Sequence, residues 1–62
     1  MDKKLFTLLI IYRDGETVKV DDVEAYGTIT TDKLFYYLKN GFRGFMPMDA
    51  VSFIGKAKDY YD

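Results

Sequence analysis

The sequence predicts an all-β fold, a small five-stranded antiparallel barrel or strongly bent sheet built from two β-hairpins. Three observations predict it. First, Asp14-Gly15 lies between the apolar-rich segments 5–13 and 16–20, and Asn40-Gly41 lies between segments 34–39 and 42–46. Both dipeptides suit a two-residue turn, which needs positive φ at both positions and matches the twist of the strands it joins. Second, the flanking residues are β-branched or aromatic, which favours strands over helices. Third, the chain has 62 residues, 48% hydrophobic and 18% aromatic, with no Cys. That is enough apolar surface for one small core and too much for a disordered chain.

The elements follow in order. With a two-residue loop at Asp14-Gly15, Arg13 faces Glu16, Ile11 faces Val18 and Leu9 faces Val20, leaving Leu8, Ile10 and Tyr12 on the reverse face with Thr17 and Lys19. In 21–32, Val23, Tyr26 and Ile29 fall near one helical face. Gly27 and the threonines at 28, 30 and 31 disfavour a helix there, so irregular strand or loop is expected. The second hairpin puts Phe35, Tyr37, Phe42 and Met46 on one face and Leu34, Tyr36, Leu38, Arg43 and Phe45 on the other. Pro47 lacks an amide donor and ends regular pairing. Met48-Asp49-Ala50 has the length of one 3₁₀ turn, 51–54 reads as a last strand, and Gly55 as its stop. The domain is expected over 1–55, with 56–62 a polar, Tyr-containing tail that frays unless docked. The expected core is Leu9, Ile11, Val18, Val20, Phe35, Tyr37, Met46, Val51 and Phe53 or Ile54.

Both hairpins are apolar on both faces, whereas an antiparallel sheet over one core alternates apolar-in with polar-out. Either the chain folds over both faces, or one face is an interface. Aromatics and Arg concentrate interface energy, so the face carrying Leu34, Tyr36, Leu38, Arg43 and Phe45 is the candidate protein-interaction surface.

From Leu34 to Ile54 the chain resembles the distal half of an SH3 domain. Two strands meet at Asn40-Gly41, Arg43-Gly44-Phe45-Met46-Pro47 follows, and a one-turn spacer leads to Val51. The resemblance implies a small SH3-like barrel with Met46 and Val51 in its core. SH3 domains bind Pro-rich segments on an aromatic groove. Here Leu34 stands where the groove Trp would be and Ala50 where a groove Tyr would be, with Pro47 alone retained, so polyproline binding is not expected. The general look resembles short proteins of Gram-positive bacteria and their phages.

The same residues bound the chemistry. Lack of Cys and His removes thiolate nucleophiles, zinc ligands and the usual general base near neutral pH. Asp14, Glu16, Asp21, Asp22 and Glu24 form a carboxylate-rich stretch without calcium-loop spacing, and adjacent Asp21 and Asp22 point to opposite faces of a strand. Gly41 and Gly44 lie in a hairpin, where turn chemistry accounts for Gly41, and no helix follows to cradle a phosphate. No enzyme activity, cofactor or metal is expected. Lys33, Lys39, Arg43, Lys56 and Lys58 interleave with Tyr36, Tyr37, Phe42, Tyr60 and Tyr61. Small β-barrels stack single-stranded bases on such aromatics in a basic groove.

The leading expectation is a non-catalytic interaction module, self-associating as a homo-oligomer or docking on another protein. The alternative is single-stranded nucleic-acid binding through the basic half. A more distant one is a phage-type inhibitor docking through the acidic edge at 14–24. The apolar run at 5–12 falls far short of the ~20 residues that cross a bilayer, so a cytoplasmic, membrane-free protein is expected.

Overall fold

The computed structural model describes residues 4–61; residues 1–3 of the expected domain and Asp62 of the expected tail lie outside them. The strands are β1 (Phe6–Tyr12), β2 (Thr17–Val23), β3 (Ala25–Ile29), β4 (Leu34–Lys39), β5 (Phe42–Pro47) and β6 (Val51–Lys56). A 3₁₀ turn (Met48–Ala50) joins β5 to β6, and a short helix α1 (Ala57–Tyr61) ends the chain. No helix among the described residues is long and apolar enough to cross a membrane.

The all-β expectation holds, but the architecture is six strands in two three-stranded antiparallel sheets, ordered β2-β1-β6 and β3-β4-β5. The sheets do not join into a closed, five-stranded barrel. The extra strand comes from a break in 21–32. Pairing jumps from Leu8↔Val20 to Phe6↔Val23, so Asp21 and Asp22 together oppose Thr7 as a bulge. Asp22 sits at φ 59° there. A bulge bends its strand and sharpens the twist. The chain leaves the first sheet after Val23 and enters the second, where the Glu24 amide donates to the Leu38 carbonyl at 2.8 Å. The irregular strand or loop expected in 21–32 is thus the bulged end of β2, a regular strand β3 and a turn at 30–33.

The first hairpin corrects the expected register. The Tyr12 amide donates to the Glu16 carbonyl at 2.8 Å and the Gly15 amide to the Tyr12 carbonyl at 3.0 Å. The loop therefore holds Arg13, Asp14 and Gly15, with Gly15 at φ 97°. The Asp14 carboxylate accepts from the Glu16 amide at 2.9 Å and fixes this wider loop. Leu8 now pairs with Val20 and Ile10 with Val18. A one-residue slip sends every side chain to the opposite face.

The core changes accordingly. Leu8, Ile10, Val23, Met46 and Val51 are buried together, with Phe6, Tyr12, Val20, Phe35, Tyr37 and Ile54 packed against them. Of the expected core, Val20, Phe35, Tyr37, Met46, Val51 and Ile54 are in place. Val18, at 37% exposed, is too open to count as core. Leu9 is fully buried, but it points with Ile11 to the outer face of the first sheet.

That outer face is covered by the end of the chain. Gly55 does not stop β6; it pairs with Leu9, and the Phe53 ring lies so close that a Cβ at Gly55 would sit 3.1 Å from it. Helix α1 packs on β1 and β6. Its Tyr60 ring is 5.1 Å from Phe53, and the Lys19 ammonium of β2 lies 5.1 Å from the Tyr61 ring. The tail is docked because the face beneath it is apolar.

Candidate functional site

The second hairpin keeps its expected register. Lys39 pairs with Phe42 across Asn40 and Gly41, which sit at φ 50° and 83°. Phe35, Tyr37 and Met46 therefore turn inward, while Phe42, on the same face, reaches beyond the core and is 74% exposed.

On the outer face, the pairing of β3, β4 and β5 produces three cross-strand rows: Ala25–Leu38–Arg43, Gly27–Tyr36–Phe45 and Ile29–Leu34–Pro47. All five residues expected on one face share it. Leu34 is at one end, Tyr36 at the centre, Leu38 and Arg43 at the other end, and Phe45 is 53% exposed on β5. Tyr36 lies down across β3 because Gly27 leaves room; a Cβ there would meet the Tyr36 Oη at 2.8 Å. A shallow groove of about 500 Å³ runs between Ile29, Tyr36, Leu38, Arg43 and Phe45, with the hydroxyl-bearing Thr28, Thr30 and Thr31 at its end.

The β3 contribution was missing from the sequence reading, because 21–32 has no clean period. The signal available was the small–large complement of Gly27 and Tyr36. Among the described residues no element packs across this face; α1 lies on the other sheet. Arg43 is its one charged side chain and has no ion-pair partner among the described residues.

The edge beside it is also open. β5 ends the strand order and pairs with β4 alone. Lys39 and Phe42 close a two-residue turn, so they form a hydrogen-bonded pair and the next pair, Leu38/Arg43, does not. By alternation the backbone groups of Arg43 and Phe45 point away from β4, toward the free edge. Pro47, with no N–H, ends that edge.

The basic residues are dispersed. Lys33 sits at φ 54° in the β3–β4 turn and Lys39 at the far end of β4. Arg43 is on the outer face of β5. Lys56 places its ammonium 5.1 Å from the Phe6 ring, on the first sheet. Only Lys56 and Lys58 are brought together, with Lys4, in a second groove of about 440 Å³ lined also by Leu5, Phe6 and Thr7. Lys4 was not among the expected basic residues.

The carboxylates also spread out. Asp14 lies within the first turn and Glu16 closes it, while Asp21 and Asp22 lie at the bulge near the opposite end of β2. Asp14 is engaged with the Glu16 amide, and Asp21 accepts from the Thr7 hydroxyl at 3.0 Å. No group of three or more carboxylates among the described residues converges as a metal site would require. Comparison with known protein families, with curated proteins and with solved structures finds no match.

Proposed function

We propose that this chain is a non-catalytic protein-interaction module of the cytoplasm, working through the outer face of β3, β4 and β5. One observation carries the reading. Both sheets have apolar outer faces, α1 covers the first, and the second stays open with Tyr36, Leu38, Arg43 and Phe45 side by side. A sequence without His or Cys supports binding over catalysis. We read the fold as SH3-like but opened between β5 and β6. The 3₁₀ turn between those strands and the near-continuity of β2 into β3 support this reading.

The test is Tyr36→Ala combined with Phe45→Ala. Wild type is expected to capture one reproducible partner protein, and the variant to lose it while its circular dichroism is unchanged. A variant that unfolds would show that this face holds the fold together, and would overturn the reading.

The groove of Lys4, Lys56 and Lys58 beside the Phe6 ring favours a second reading, contact with single-stranded nucleic acid. Phosphate contacts weaken steeply with salt. Absence of a mobility shift with an oligothymidine at low salt removes it.

A further inference from the structure

We propose that β5 takes an extended segment of a partner protein as a fourth strand. An acidic side chain of that segment lies against Arg43, and an apolar one, two residues along, lies against Phe45. This rests on the reading of the outer face as the interaction surface.

Three observations select this occupant. The backbone groups of Arg43 and Phe45 face the free edge, and the side chains of the same two residues face the groove, so one added strand satisfies both. That is the geometry of strand addition: main-chain bonds give affinity and alternate side chains give specificity. Charge comes second. Arg43 is the only charge among three rows of apolar side chains and has no ion-pair partner among the described residues. A cross-strand carboxylate is its natural complement. Size comes third. Three strands spaced ~4.8 Å apart, with five residues each rising ~3.3 Å, make a face on the order of 15 by 17 Å. A stable pair of globular partners buries about 800 Å² on each side. The face matches a peptide and is too small for a second copy. Pro47 limits the docked stretch to the two free amides of Arg43 and Phe45.

The experiment selects a displayed random dodecapeptide library on the immobilised full chain and titrates the enriched peptides into the ¹⁵N-labelled protein. Enriched sequences are expected to carry Asp or Glu one residue removed from Leu, Ile, Phe or Tyr. The Arg43, Gly44 and Phe45 amides are expected to shift. Arg43→Glu should weaken binding about tenfold or more, and N-methylation along the peptide should be harmful at every second position.

Pro-rich or Lys-rich consensus sequences overturn the proposal, as does a failure to enrich any sequence. A micromolar dimer dispersed by Phe45→Ala also overturns it, in favour of a second copy. Peptides that shift Tyr36 and Phe45 but tolerate Arg43→Glu and uniform N-methylation remove the added strand and leave the interaction face standing. Peptides that map elsewhere remove both.

Discussion

Tyr37 and Gly44 face each other across β4 and β5, and a Cβ on Gly44 would overlap the Tyr37 ring. Tyr36 and Gly27 repeat the arrangement on the opposite face of the same sheet. The two glycines differ in what their tyrosine can do. Tyr37 packs against the buried cluster and has nowhere to retreat, whereas Tyr36 lies on an open face and can swing outward. Gly44→Ala is therefore expected to cost about 1–3 kcal/mol by overpacking, and Gly27→Ala clearly less. In a double-mutant cycle by urea denaturation, Tyr37→Leu should relieve part of the Gly44→Ala loss, because residues in contact are not additive. Additive losses would show that the ring does not depend on Gly44. The Tyr37–Gly44 contact follows from the Asn40-Gly41 register, which the sequence makes plain; the Tyr36–Gly27 contact follows from the pairing of β3 with β4, which it does not. Asp14-Gly15 is less informative, since the same dipeptide serves two-residue and three-residue loops. The bond from the Glu16 amide to the Asp14 carboxylate accompanies the longer one and has no signature in residue order.

The elements most at odds with expectation are the two that redirect the chain. The bulge at Asp21 and Asp22 turns one long strand into β2 and β3. It was hidden because nothing in an Asp-Asp pair declares a left-handed residue, although Asp tolerates φ 59° better than most. Asp22→Gly is expected to be near neutral, relief of backbone strain offsetting the added freedom of the unfolded chain. Asp22→Val should cost about 1–2 kcal/mol, as a β-branched residue resists that conformation. Equal stability of the two variants by urea denaturation would show that the bulge does not need its left-handed residue. Helix α1 was hidden for a different reason. Five residues do not form a helix by propensity alone, so its existence depends on the Phe53 and Leu9 face beneath it. Tyr60→Ala removes the ring that lies 5.1 Å from Phe53. The expected loss is about 0.5–1.5 kcal/mol, with faster amide exchange confined to α1 and the end of β6. Unchanged exchange there would mean that Tyr60 does not hold the helix down.

For the whole molecule, the two-faced apolarity of both hairpins was legible in residue order, but which face would be covered was not. That depends on where the chain end returns, a long-range consequence of β6 pairing with β1. The result is asymmetric: α1 covers the first sheet, and the second keeps an open face smaller than a stable protein–protein interface requires. The full chain is accordingly expected to be a monomer by light scattering from low micromolar to near-millimolar concentration. Its charges favour self-association only weakly, since the carboxylates lie at both ends of β2 and the lysines on several elements. Head-to-tail pairing through them would be screened by salt. Mass that rises with concentration and falls on adding salt would therefore assign the acidic edge to self-association. Mass that rises regardless of salt and returns to the monomer with Tyr36→Ala and Phe45→Ala would assign the outer face to a second copy. A constant monomer mass leaves that face open to a peptide-sized partner, which is what its dimensions, its single Arg and its free edge fit together.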